Sequence, residues 1–286
     1  MVARALASYA VLTAALLAVP LANAQQIAVV AVQIEVDEQL YLRPGAFEAR
    51  VRRLIDDAGS ADLYVFPEYT AAFMALPYLQ LTGPPTDDPA ATRDAVADAA
   101  RSAEPTIHRF WGQMAQTYRA HILAGSALVV RQGQLYNRAH LYAPDGSIVW
   151  WQDKIFPGAP ESDLLELARG SFEDVQAFEV GGVTFAVSIC RDTYHPQWEQ
   201  HVPQADYWID IKANELPYTE QYYAGALPAR LPNCPIDHGL TVSLVGSMLG
   251  FTFEGPTLLH YNQRIVGSTS SHVAERVFRF TATAGE

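Results

Sequence analysis

Three reactive side chains stand at the ends of three apolar runs: Glu68 after "LYVFP", Lys154 after "IVWWQD" and Cys190 after "VTFAVSI". A carboxylate, an ammonium and a thiol are the parts of a covalent acyl-transfer site. A thiol of ordinary acidity is only a few per cent ionised at neutral pH. A neighbouring carboxylate can take its proton as general base and return it to a leaving amine. Attack on a carbonyl or nitrile carbon moves charge onto oxygen or nitrogen, which a fixed ammonium and a backbone N–H stabilise. Lysine suits this role as a point charge on a flexible stem. The N–H of Arg191, next after the thiol, is the natural second donor. Each residue also has a plainer reading. Glu68 is then the first solvated residue after a strand, Lys154 a surface charge and Cys190 a small buried apolar residue.

The segments around these residues alternate between strand and helix patterns. "QIAVVAVQIEV" (26–36) and "ADLYVFPEYT" (61–70) read as strands, the second stopped by Pro67. Between them, residues 45–60 place Phe47, Val51, Leu54 and Ile55 on one helical stripe that Gly59 closes. Residues 84–100 read as a polar loop and a helix start, and 106–120 as a second helix. From 121 to 156, three strand-like runs are punctuated by Gln132-Gly133 and Asp145-Gly146, dipeptides that suit tight hairpin turns. Residues 172–190 form another hairpin turning at Gly181-Gly182. A short helix ("HPQWEQHVPQ"), buried strands at "DYWIDIKAN" and "TVSLVGSML", and a last hairpin follow. The pattern predicts mixed sheets covered by helices, with two sheets face to face. Open α/β sheets place ligands outside the carboxyl ends of their strands, where Glu68, Lys154 and Cys190 all sit.

At this point the chain resembles the nitrilase superfamily of carbon–nitrogen hydrolases. The resemblance rests on Glu, Lys and Cys in this order within "VFPEY", "DKIFPG" and "SICRD". It extends through "GQLYNRAHLYAPDGSIVWWQDKIFP", "GGVTFAVSICRD" and "FEGPTLLHYNQRIVG", spanning about residues 26 to 278. It implies an α/β fold, a four-layer α-β-β-α sandwich, with no metal or organic cofactor and assembly into homo-oligomers. It carries over Glu68 as general base, Lys154 as stabiliser of the tetrahedral intermediate and Cys190 as nucleophile. A supporting glutamate soon after the lysine is best matched by Glu161, with Glu166 as the fallback. The chain departs from its relatives at Arg191, where an aromatic or small residue is usual, and at Ser247, where many carry Asn. Nitrilases proper follow the cysteine with Trp-Glu; this chain has Arg-Asp.

Tyr69, Tyr194 and His195 adjoin the proposed chemistry and are candidates to line an acyl pocket. Arg191 is a candidate partner for a substrate carboxylate. Trp150 and Trp151, adjacent on a strand, must face opposite sides. A Cys–His hydrolase would use His121, His140 or His195 as base. Cys234, between prolines in "LPNCPID", lacks a strand-end setting. Neither a G-x-S-x-G elbow nor an H-E-x-x-H zinc motif occurs.

Composition bounds the rest. The 286 residues are half hydrophobic and 17% charged, enough for a sizeable core. A formal net charge of −12 argues against nucleic acid and anionic membrane surfaces as partners. Residues 1–24 carry one early Arg, a long apolar run and Ala22-Asn23-Ala24, the pattern of a cleaved secretory signal. The expectation is a single domain over 25–286, periplasmic or secreted and free of the membrane once cleaved. An oxidising compartment permits one bridge, Cys190–Cys234, and with it a non-catalytic binding protein on the same scaffold. The preferred expectation is a thiol amidohydrolase acting on a small-molecule amide, with amide-dependent acyl transfer and nitrile hydrolysis as alternatives.

Overall fold

The computed structural model describes residues 24–82 and 88–285. The expected leader therefore lies, except for its last residue, outside the described residues. Two six-stranded sheets and one small sheet organise the described residues. The first has the order β15-β1-β3-β4-β5-β6, formed by β1 (Gln26–Gln33), β3 (Leu63–Val65), β4 (His121–Arg131), β5 (Gln134–Tyr142), β6 (Ile148–Asp153) and β15 (Arg276–Thr283). The second has the order β14-β13-β10-β9-β8-β7. Its strands are β7 (Phe178–Val180), β8 (Val183–Ile189), β9 (Tyr207–Lys212), β10 (His238–Ser243), β13 (Leu258–Tyr261) and β14 (Arg264–Ser268). In each sheet three central strands run parallel, β1-β3-β4 and β8-β9-β10.

Strand alternation sorts side chains into layers. Along β1, Val29 and Ala31 face the second sheet, while Val30 and Val32 pack under helices Ala46–Ala58 and Pro89–Tyr118. Along β8 and β9, Phe185, Val187, Ile209 and Ile211 face the first sheet. Ala186 and Trp208 point the other way, into a cluster with Trp198, Leu227 and Leu231 from short helices. The result is the four-layer α-β-β-α sandwich that the family resemblance implies.

Three expected elements differ. Residues 89–118 form one 30-residue helix that runs through Pro105 rather than two helices, and the polar loop expected before it lies, up to residue 87, outside the described residues. Its buried stripe of Ala99, Ala103, Ile107, Trp111 and Met114 holds it to the sheet, and Pro105 lies on the exposed side, where water can satisfy the freed carbonyl. "QIAVVAVQIEV" and "TVSLVGSML" each break once. After Ile34 and Leu244 the chain leaves the main sheets, and β2 (Glu35–Val36), β11 (Val245–Met248) and β12 (Phe251–Phe253) make the third sheet. The tail also forms a strand, β15, antiparallel to β1 from Gln26↔Thr283 to Gln33↔Arg276.

Candidate active site

Glu68 leaves the first sheet just after β3. The turn that carries it is set by a bulge in β4, where the register with β5 shifts between Leu123 and Ser126. Gly125 has φ +72°, and a Cβ there would lie 2.0 Å from the carbonyl oxygen of Pro67. Only glycine permits this approach. One residue on, Ser126 Oγ accepts the Tyr69 N–H at 3.0 Å. The bulge thus seats residues 67–69, and Tyr69 itself takes a left-handed φ of 64°.

Lys154 follows β6, and its N–H bonds to the Asn137 carbonyl on β5 at 2.9 Å. Its Nζ reaches two carboxylates: Glu68 Oε1 at 2.8 Å and Glu161 Oε2 at 2.6 Å. Asn137 Nδ2 donates to both as well, at 2.9 Å to Glu68 and 2.8 Å to Glu161. The Tyr69 hydroxyl donates to Glu161, and the Gly158 N–H caps its other oxygen. All of Glu68, Asn137, Lys154 and Glu161 are buried. Glu68 also accepts the Ala213 N–H at 3.0 Å, a bond that crosses from the second sheet to the first.

Cys190 arrives from that second sheet, at the end of β8. Its φ is 51°, a strained conformation for a non-glycine residue. The turn is clamped by Asp192, whose carboxylate accepts the N–H groups of Ile155 at 3.1 Å, Phe156 at 2.8 Å and Ile189 at 3.1 Å. The thiol sits 3.8 Å from the Ala213 carbonyl and interacts with the Glu68 carboxylate.

The charges are graded. Burial pushes the Cys190 thiol up, Glu68 pushes the same way, and Lys212 and Lys154 pull against them. Burial likewise raises Glu68, with Lys154 opposing. For Glu161 burial also acts upward, yet Lys154, Tyr69 and Gly158 outweigh it and its carboxyl is lowered. Burial alone would neutralise Lys154, but Glu68 and Glu161 hold its ammonium well above the ordinary value. The arrangement is a protonated thiol beside a carboxylate of raised basicity, with an ion pair behind it. Two carboxyls driven apart in this way fit separate acid–base and supporting roles.

Of the sequence candidates, Glu68, Lys154, Glu161, Tyr69 and Cys190 converge. Glu166 does not; it is exposed and pairs with Arg93 at 2.6 Å. The Arg191 side chain is exposed, while Tyr194 packs on Tyr222 with ring centroids 4.9 Å apart. His195 stacks on Phe156 at 3.7 Å. The other two histidines make their contacts elsewhere: His140 is buried against His108 and Tyr142, and His121 lies near Asp62. Trp150 faces the core and Trp151 the exterior, as adjacent strand residues must. Both cysteines are free, Cys190 beside the sheet–sheet core and Cys234 against the outer cluster, so the Cys190–Cys234 bridge is not formed.

Sequence reasoning missed Asn137, although its Tyr-Asn context was visible, and it missed the buried Asp210 and Lys212. It also missed a cavity of about 460 Å³ adjoining Tyr69 and Glu161. The cavity walls are mostly hydrocarbon, from Phe73, Leu76, Leu128, Leu165, Met248 and Phe253, with Glu215 among the few polar groups.

Comparison with known proteins adds the family. The sequence profile described as Carbon-nitrogen hydrolase matches residues 26–198. No curated protein matches the sequence. Among solved structures, a variant of the amidase from Nesterenkonia sp. AN1, bearing the product of Michael addition of acrylamide at its active-site cysteine, has a TM-score of 0.65. Its identity is 17%, with 89% of this chain and 92% of that chain covered. A second variant of that amidase, in complex with acrylamide, gives 0.64 at 17% identity over 94% of each chain. Saccharomyces cerevisiae Nit3, a member of branch 10 of the nitrilase superfamily, gives 0.61 at 16% identity over 91% of each chain. At such identities the likeness is one of fold.

Proposed function

We propose how this chain, which belongs to the carbon–nitrogen hydrolase family and so acts on carbon–nitrogen bonds other than peptide bonds, carries out its reaction. Cys190 is the nucleophile, Glu68 the general base, Lys154 the charge stabiliser and Glu161 the group that holds Lys154. As sulfur attacks the amide carbon, Glu68 takes the thiol proton and the carbonyl pair moves to oxygen. That oxygen is met by the Lys154 ammonium and the Arg191 N–H. The C–N bond then breaks, and Glu68 passes its proton to the leaving nitrogen. Water, deprotonated by Glu68, opens the thioester and restores the thiol.

The observation that carries this reading is the Lys154 ammonium held between two buried carboxylates, one of which, Glu68, bears electrostatically on the Cys190 thiol. The adjoining hydrocarbon cavity supports an amide with an uncharged apolar group. Ammonia release from primary amides, from acetamide to octanamide and benzamide, tests the reading. Cys190→Ala should abolish turnover while leaving the melting curve intact; surviving turnover sinks the mechanism. Adding hydroxylamine distinguishes acyl transfer, which would outrun hydrolysis.

The protein's place in the cell is part of the same proposal. The leader supports export to the periplasm or medium, and a mature chain beginning at Gln25 by N-terminal sequencing is the expected result. No helix among the described residues is long and apolar enough to cross a membrane. Val149 and Trp151, exposed on the edge strand β6, support self-association into a homo-oligomer, which light scattering would measure.

A further inference from the structure

A second buried ion pair lies behind the nucleophile turn. Asp210 and Lys212 share the parity of Trp208 on β9, and so they leave the sandwich core and point to the outer face, beneath residues 190–194. Both are buried, Asp210 at 0% and Lys212 at 1% exposure. Lys212 Nζ lies 3.1 Å from Asp210 Oδ2 and donates to the Cys190 carbonyl at 3.3 Å. Thr193 Oγ1 is placed to donate to that same carbonyl at 3.0 Å and lies 3.1 Å from Asp210 Oδ2. The rings of Tyr194 and Tyr223 cover the ammonium at 4.7 and 5.7 Å.

Two charges removed from water are costly, and a hydrophobic pair of the same size would stabilise the fold as well or better. Stability alone therefore does not account for Lys212. Its contact with Cys190 suggests what does. The Cys190 carbonyl and the Arg191 N–H belong to one planar trans peptide group and point in opposite directions. Anchoring the carbonyl on one side aims the N–H on the other. Cys190 itself is held at φ 51°, a conformation that relaxes unless its surroundings determine it.

Resting on the Cys190 reading above, we propose that Lys212 is a positioning residue. With Asp210 and Thr193 it locks the Cys190–Arg191 peptide so that the Arg191 N–H faces the oxygen of the attacked carbonyl. Its ammonium also bears on the thiol, together with Lys154 and against Glu68 and Asp210. Lys212 thus acts through the backbone and the local field and does not touch the substrate.

The test uses acrylamide, a small primary amide whose β-carbon accepts the Cys190 sulfur while charge moves to its carbonyl oxygen. The α-carbon then takes a proton, and mass spectrometry reads the rate of adduct formation. Methyl methanethiosulfonate, which has no carbonyl, reports access and ionisation of the thiol alone. Lys212→Met and the double variant Asp210→Asn/Lys212→Met are compared with the parent chain, with Cys190→Ala as control. The double variant keeps shape and net charge and should fold. Acrylamide labelling should slow on the order of 10- to 100-fold in both, the scale of a misplaced oxyanion donor. Methanethiosulfonate labelling of the double variant should slow by no more than about threefold, because Asp210, which opposes Lys212 at the thiol, is removed with it.

A double variant that labels with acrylamide at the parental rate overturns the proposal. So does one that slows equally with both reagents, or one that fails to fold, which would assign the pair to core stability. Acrylamide label that forms on Cys234 but not on Cys190 of the parent chain rejects the nucleophile reading instead.

Discussion

Replacing Lys154 with Met keeps the length of the side chain and removes one charge from a site that holds two carboxyl groups. The parent ammonium lies 2.8 Å from Glu68 and 2.6 Å from Glu161, and one Asn137 amide bridges the same two carboxylates. Removing one partner of a buried ion pair costs about 3–5 kcal/mol, because the orphaned charge stays out of water. Here two orphans face each other, so one must bind a proton. Glu68, which burial already raises, is that one. A carboxyl whose folded pKa lies above its unfolded value stabilises the fold at low pH. That contribution is lost as pH rises through the folded pKa. The deficit of the variant should therefore be small near pH 5 and approach about 3–5 kcal/mol at pH 8. For a chain of this size each kcal/mol moves the melting midpoint by roughly 2–4 °C, giving a deficit of about 6–20 °C at pH 8. Calorimetry of both proteins across this range reads it directly. A deficit that is flat with pH, or below about 1 kcal/mol at pH 8, refutes the claim that both carboxylates depend on one ammonium.

Three further outcomes are expected. Gly125→Ala forces a Cβ to within 2.0 Å of the Pro67 carbonyl at φ +72°; the left-handed backbone alone costs about 1–2 kcal/mol, and amide turnover should fall with the displaced Glu68. A variant that melts and turns over like the parent contradicts the bulge argument. His260 is buried with neither ring nitrogen bonded, and burial lowers its pKa to about 4. Its contribution is present above the unfolded pKa of about 6.5 and fades as pH falls, so His260→Leu should gain about 2 kcal/mol on the parent between pH 7 and pH 5 in urea unfolding. Thiol titration of the denatured, unreduced protein should count both Cys190 and Cys234; a count of zero would falsify the free-cysteine state.

The strand-end logic brought Glu68, Lys154 and Cys190 into view because each interrupts an apolar run where a strand must stop. Glu161 came only through the family resemblance, as the best match to a glutamate that relatives carry soon after the lysine. Asn137 was harder to see. It sits mid-strand on β5, and only the pairing of β5 with β4 and β6 shows what it bridges. Asp210 and Lys212 read as polar interruptions in "DYWIDIKAN", and nothing local reveals that Cys190 folds over them. The continuity of the helix through Pro105 is not legible locally, because a proline signals a stop, whereas packing of Ile107 and Trp111 overrides that signal when the ring faces water. The break of "TVSLVGSML" at Leu244 depends on the distant Ile34, whose carbonyl accepts the Val245 N–H at 3.1 Å.

The proposed machinery is divided between layers: Glu68, Asn137 and Lys154 ride on one sheet, Cys190 and Ala213 on the other. The hydrocarbon between them therefore acts as a spacer that sets the gap from sulfur to base. Enlarging or trimming Val29, Val65 or Val187 would tune reactivity from within, without altering any polar group. A repacked interior and a changed turnover number are, in this architecture, one and the same event.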